Sequence, residues 1–298
     1  MKFSACGGWF GKDNYQTYRE AASHSFAGVE QLGWLGLDLE KAKSIMDEED
    51  IVSTAIVIQS KNPKNMDKIA WSHGMVWEDA EVAFIEAFNE TVEAAKILGV
   101  PNIIATTGNE RSDVSREVQH KNIVNVLKKF APIAEKEGLM VVLEPLNILV
   151  NHMGYYLARS DEAFEIIREV NSPNVKLLFD IYHQQITEGN LINNITKNID
   201  LIGHFHIGDN PGRNEPGTGE INYWNVFSAI EESGYDRWLA FECGRTMEVD
   251  DLCSEMWALI APFSDDGEGC GCGCEDCEMC GEKDDDNEED GCDCGCKK

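Results

Sequence analysis

The chain has 298 residues, 43% of them hydrophobic, and carries a formal net charge of -29. It holds enough apolar material for one large core, while no run approaches the roughly 18 uninterrupted apolar residues of a membrane span. Such an acidic surface repels a polyanion, so a nucleic-acid partner is excluded.

The chain opens Met-Lys-Phe-Ser-Ala-Cys without the basic segment and long apolar run of a signal peptide. A cytoplasmic protein acting on a small molecule is expected, with no membrane partner and with homo-oligomerisation left open. Lys2–Cys6, Ala27–Leu32 and Ile51–Gln59 read as the first three strands. Trp77–Leu98 follows with apolar residues at helical spacing and stops at Gly99-Val-Pro101, where Gly caps and Pro forbids continuation. Strand Asn102–Thr107, helix Ser112–Glu137 and strand Met140–Pro145 come next. Helix Ser160–Val170 offers Ser160 as a cap with acids in its first turn. Strands Val175–Ile181, Leu201–Ile207 and Trp238–Cys243 and helix Asp250–Ile260 complete the series. Several strands are continuous apolar runs, as in sheets buried on both faces. Eight strands, each followed by helical sequence, give an α/β fold, a (βα)₈ TIM barrel over residues 1–264; a doubly wound sheet is the weaker alternative.

In such a barrel, reactive side chains sit at the C-terminal ends of the strands. Here four consecutive apolar runs stop at Glu144, Asp180, His206 and Glu242. A single acid at a strand end is commonly a loop cap or an ion-pair partner. Four in register on adjacent strands point instead to a shared cation, because three packed carboxylates repel unless one neutralises them. The mixed O/N donor set suits one divalent ion, Mn²⁺, Co²⁺ or Mg²⁺, better than structural zinc. His204 shares a strand face with His206 but lies further from the strand end, so it is expected to pack or to support a ligand from behind. His183, three residues after Asp180, is placed to hydrogen-bond a substrate oxygen. In the loop Asn210-Pro-Gly-Arg213-Asn-Glu215-Pro-Gly-Thr-Gly-Glu220, two Pro-Gly turns hold Arg213 over the mouth, where it can clamp a substrate carboxylate. The structural alternative is an ion pair of Arg213 with Glu215 or Glu220.

The segments Leu-Glu144-Pro-Leu-Asn, Phe-Asp180-Ile-Tyr-His183, His-Phe-His206-Ile-Gly-Asp and Phe-Glu242-Cys-Gly resemble the xylose-isomerase-like barrel superfamily. The loop carrying Arg213 is similar to the signature loop of hydroxypyruvate isomerases, and the resemblance spans about residues 1–262. It implies an aldose–ketose type isomerisation, hydroxypyruvate to tartronate semialdehyde or a related sugar acid, with Glu144 and Glu242 as the acid/base pair. At His206 and in Asp180-x-x-His183 the chain is nearer to ketose 3-epimerases, which makes C3 epimerisation the alternative outcome. A non-catalytic metal-binding protein is the rival of another class. An endonuclease on the same fold would need more zinc-binding histidines and a basic groove.

Residues 265–298 are set apart by composition. Eight of the eleven cysteines lie here, Cys270, Cys272, Cys274, Cys277, Cys280, Cys292, Cys294 and Cys296, among Gly, Asp and Glu. With almost nothing apolar to bury, the segment is expected to be a disordered tail. Its Cys-x-Cys and Cys-x-x-Cys spacings can chelate Zn²⁺ or another soft metal, the bland alternative being a solvated low-complexity tail.

Overall fold

The computed structural model describes residues 1–265. The tail cysteines and the expected disorder around them lie outside the described residues. Strands β1 (Lys2–Cys6), β2 (Gly28–Glu30), β3, β4 (Asn102–Ala105), β5 (Met140–Leu143), β6 (Val175–Asp180), β7 (Ile202–Ile207) and β8 (Trp238–Phe241) are all parallel to their neighbours. β3 comes in two pieces, Val52–Ser53 paired with β2 and Ala55–Val57 paired with β4. Thr54 joins them: its N–H donates to the Val29 carbonyl at 3.1 Å, and its carbonyl accepts from Asn102 Nδ2 at 2.8 Å. Because β1 pairs with both β2 and β8, the sheet curls into a ring. This closure is what separates a barrel from the doubly wound alternative.

Ten α-helices surround the ring among the described residues: α1 (Asn14–Ser23), α2 (Leu39–Glu48), α3 (Pro63–Ile69), α4 (Glu81–Leu98), α5 (Arg116–Glu137), α6 (Ser160–Val170), α7 (Ile181–Thr187), α8 (Leu191–Thr196), α9 (Tyr223–Glu232) and α10 (Val249–Ile260). None is long and apolar enough to cross a membrane. α4 and α5 start later than their sequence patterns suggest. Glu78–Ala80 forms a 3-10 turn before α4, and Arg111 draws Asp113 away from a helical start with bonds of 3.0 and 2.7 Å. Gly99 caps α4 in the left-handed conformation, as expected. Ser160 does not cap α6. Its buried hydroxyl donates to Glu188 instead, leaving Arg159 at the cap position.

Two cores result. Outward-facing residues such as Ile103, Val141, Leu177 and Phe179 pack against the helices in one large cluster. Ala55, Ile104, Val142 and Leu178 form a small plug inside the barrel. Side chains alternate along a strand, so Glu144 lies on the same inner face as Val142, and Asp180 on that of Leu178. The plug is therefore the floor on which the strand-end groups stand.

The segment between α3 and α4 is sewn to the end of β4. Asn109 N–H donates to the Trp71 carbonyl at 2.7 Å and Val76 N–H to Thr107 at 3.2 Å. Gly74 and Gly108 both have positive φ, and a Cβ on Gly74 would stand 2.5 Å from Gly108 Cα and from the Thr107 carbonyl oxygen. Gly138, the C-cap of α5, also has positive φ but open space around it. Gly138→Ala should thus cost about 1 kcal/mol, the left-handed penalty alone, and Gly74→Ala about 3 kcal/mol because backbone must also move. Urea denaturation of the two variants checks this; equal losses would contradict the crowding argument.

Candidate metal centre

Strands β5 to β8 carry Glu144, Asp180, His206 and Glu242 into one cluster whose potential ligand atoms all lie within 4.8 Å of one another. Around Nδ1 of His206 stand Glu242 Oε2 at 2.9 Å, Glu144 Oε1 at 3.3 Å and Asp180 Oδ2 at 3.9 Å. Asp180 and His206 are level with each other in the β6–β7 register. Asp180 has a second duty: its Oδ1 accepts the His183 N–H at 2.8 Å and caps α7. The Glu144 peptide is locked by Tyr155, whose hydroxyl donates to the Glu144 carbonyl at 3.0 Å and accepts from Thr107 N–H at 2.8 Å.

Behind His206 stands a residue that sequence reasoning missed. Glu30, at the end of β2, takes His206 Nε2 at 2.6 Å and His204 Nε2 at 2.8 Å, while Thr54 Oγ1 donates to it at 3.1 Å. The signal was there, an acid closing the run Phe-Ala-Gly-Val-Glu30, but reading β2 as far as Leu32 hid it. Glu30, His204 and His206 form a second group of possible ligands. There, however, each histidine Nε2 already has its own Glu30 oxygen, so the group is satisfied by hydrogen bonds. His204 therefore lies on Glu30, away from the four-residue cluster.

Arg213 is brought in by the loop after β7. The buried Asp209 carboxylate organises that loop by accepting four backbone N–H groups, from Asn210 (2.8 Å), Gly217 (2.9 Å), Gly219 (2.9 Å) and Ile221 (3.1 Å). The Glu215 carboxylate ties it to the next loop through Thr246, and Glu220 accepts from Asn210 Nδ2 and Gln185 Nε2. Neither is the partner of Arg213. One guanidinium nitrogen instead reaches Asp180 Oδ2 at 3.2 Å and Glu242 Oε2 more closely still. Its Nε is buried without a hydrogen-bond partner.

The cluster opens into a cavity of about 320 Å³ with Glu144, Glu242, Arg213, His183 and His152 on its polar side and Leu32, Val57, Ile69 and Ile104 on its apolar side. His183 is fully buried. Its Nδ1 accepts from Asn147 N–H at 3.2 Å and from Asn147 Nδ2 at 2.6 Å, which leaves the proton on Nε2. That Nε2 has no hydrogen-bond partner and lies 3.6 Å from Asp180 Oδ2.

The electrostatics express crowding. Burial, helped by Glu242 and Asp180 and only partly offset by His206, raises Glu144 above the usual carboxylate range. Burial pushes Glu242 the same way, but the charges of His206 and Arg213 outweigh it and hold Glu242 low. For His206, burial opposes the charged form and is overcome by Glu242, Glu30 and Glu144, so the imidazole is held well above its ordinary value. Despite the short distances, His206 Nδ1 makes no aligned hydrogen bond. With Nε2 fixed by Glu30 and three carboxylates around Nδ1, the group offers the O/N ligands of a divalent cation, which would take the place of the Nδ1 proton.

The family model described as "Xylose isomerase-like TIM barrel" matches residues 18–254. The chain belongs to this family. It is 33% identical over 226 residues to "Hydroxypyruvate isomerase" of Escherichia coli (strain K12), covering 76% of this chain and 85% of that protein. It is 33% identical over 162 residues to "2-oxo-tetronate isomerase" of Cupriavidus necator, covering 54% of this chain and 60% of that one. Among solved structures, "AP endonuclease, family 2 from Brucella melitensis" superposes with a TM-score of 0.79 at 25% identity, covering 89% of this chain and 99% of the other.

Removing Glu30 strands a buried histidine pair. Glu30→Gln should cost about 3 kcal/mol at pH 7, as for a buried ion pair that loses one partner. Burial opposes ionisation of Glu30, but His206 and His204 hold its folded pKa below the ordinary glutamate value of 4.5. Its contribution is therefore complete above that value and lost as the pH falls below it. Denaturation of wild type and variant between pH 7 and 3 should show the gap narrowing on the acid side; a constant gap would refute the assignment.

Proposed function

We propose that the chain is a metal-dependent isomerase that interconverts a small hydroxy-ketone and hydroxy-aldehyde through an enediolate, with hydroxypyruvate and tartronate semialdehyde, or a related sugar acid, as the pair. The observation that carries this reading is the buried set Glu144, Asp180, His206 and Glu242 opening into the cavity beside two unpaired donors, Arg213 Nε and His183 Nε2. The four residues would hold one divalent ion, Mn²⁺, Co²⁺ or Mg²⁺. When bound, such an ion supplies Lewis-acid stabilisation of the charge that develops on the substrate carbonyl oxygen.

The rest is done by side chains. One carboxylate of the Glu144–Glu242 pair removes the proton from the hydroxyl-bearing carbon next to the carbonyl, and the other carboxyl group returns a proton at the former carbonyl carbon. The hydroxyl proton moves between the two oxygens, so a ketone and an aldehyde exchange with no net redox change. His183, its Nε2–H fixed by Asn147, donates to a substrate oxygen. Arg213 uses its unpaired Nε–H for the substrate carboxylate.

Epimerisation at C3 follows if the two glutamates address opposite faces of one carbon. Arg213 favours the keto-acid reading, because a substrate carboxylate needs a cation and a neutral ketose does not. The likeness to the AP endonuclease structure does not extend to its activity: this chain has a net charge of -29, and acids dominate the cluster at its mouth.

Proton NMR of the purified protein with Mn²⁺ in D₂O, first with hydroxypyruvate and then with ketoses, tests the reading. Solvent deuterium should enter the carbon that receives the proton, and chelation should stop it; exchange with ketoses alone would favour the epimerase. Glu144→Gln should lower kcat by about 10³-fold, and retained turnover would remove it from the acid/base pair. Arg213→Ala should raise KM for the keto acid about 10²-fold, equivalent to ~3 kcal/mol of charged hydrogen bonding. An unchanged KM would dismiss the clamp.

A further inference from the structure

The chemistry above uses the inner end of the cavity and leaves part of its wall without a role. Trp71, 41% exposed, comes from the segment sewn to β4, and His152 from the loop between β5 and α6. Their rings meet at a tilt of 53° with centroids 4.4 Å apart, and the His152 ring lies 5.1 Å from that of His183. Both Trp71 and His152 line the cavity.

The placement of His152 is built, not incidental. Its N–H donates to the Asn147 carbonyl at 3.1 Å, and its carbonyl accepts from Tyr155 N–H at 2.9 Å. Asn147 Oδ1 accepts from Val150 and Asn151 N–H at 2.9 and 3.2 Å. Tyr182 adds a bond of 2.8 Å to Asn151 Oδ1. The asparagine that orients His183 thus also sets the loop that presents His152. Yet Nδ1 of His152 is buried without any hydrogen-bond partner. A histidine kept for packing would have both nitrogens satisfied by protein or water.

We propose that His152 and Trp71 form a specificity subsite for a hydroxylated carbon of the substrate beyond the two carbons that exchange the proton. The Trp71 ring receives the C–H face of that carbon, and the His152 imidazole, which lines the cavity beside it, takes its hydroxyl. The substrate class is then a hydroxy-keto acid of at least four carbons, with hydroxypyruvate too short to reach the pair. The cavity, about 320 Å³, is at the small end of the range for ligand sites and leaves room beyond a three-carbon acid. Burial, with the neighbouring His183 ring and the charge of Arg213, pushes His152 down to about 4, so it meets a hydroxyl as a neutral group able to accept or donate. The inference rests on the isomerase reading for which end of the substrate enters first.

The test separates the two. The Mn²⁺-loaded full chain is titrated calorimetrically with glycerate and with erythronate, three- and four-carbon acids that lack a carbonyl and do not turn over. Erythronate should bind about 10-fold more tightly, the worth of one added hydrogen bond. His152→Ala should erase that margin while leaving glycerate within about 2-fold, and His152→Gln, which keeps a hydrogen-bonding amide, should restore part of it. In turnover, His152→Ala should lower kcat/KM for a four-carbon 2-oxo acid and spare hydroxypyruvate. No margin in the wild type, or equal weakening of both acids in His152→Ala, overturns the subsite. Absence of turnover on every hydroxy-keto acid, with the binding margin intact, overturns the isomerase reading and leaves the subsite standing.

Discussion

The structure turns on a conflict of charge. Four carboxylates, those of Glu30, Glu144, Asp180 and Glu242, converge on the imidazole of His206 at the top of the barrel, three of them buried and Glu242 opening to the cavity. Ionised groups taken out of water are tolerated only when paired and hydrogen-bonded. Here the pairing is split between two faces of one ring. Glu30 holds Nε2 from one side, and the other three crowd Nδ1 on the opposite side of the ring. The guanidinium of Arg213 supplies further positive charge, so its loop has to be held firmly, and the Asp209 carboxylate with its four N–H donors does that.

Much of this was legible in the sequence because the barrel ties position on a strand to position in space. Parallel strands in a closed sheet put the last inward residue of each at the same height, so four acids or histidines ending four apolar runs had to meet. The same logic applied to Glu30. It escaped because β2 stops at Glu30, whereas a strand read from Ala27 to Leu32 places that acid in its interior. Helix boundaries failed for local reasons: Asp113 is captured by Arg111, and Ser160 prefers Glu188 to its own helix.

Other features had no sequence signature at all. His152 lies in an irregular loop, and its neighbours in sequence, Asn151 and Met153, say nothing of Trp71, some eighty positions earlier. Only the three-dimensional path, with Asn109 bonded to the Trp71 backbone and Asn147 to that of His152, brings the two rings together. The partner of Arg213 was likewise undetermined. Glu215 and Glu220 are closer along the chain, yet both are spent on holding the loop in shape.

Asp180 turns one oxygen toward His206 and Arg213 and closes the first turn of α7 with the other. Carboxylates gathered for chemistry usually burden a fold, so that replacing them by neutral residues makes the protein sturdier. At this position the two demands coincide. Strand and helix abut with no intervening loop, and the junction is made by the same carboxylate that joins the cluster. A longer acid would lift the carboxylate from the helix, and an amide would keep the cap while surrendering charge. Drift at this residue is therefore closed from both sides, by architecture as much as by reactivity.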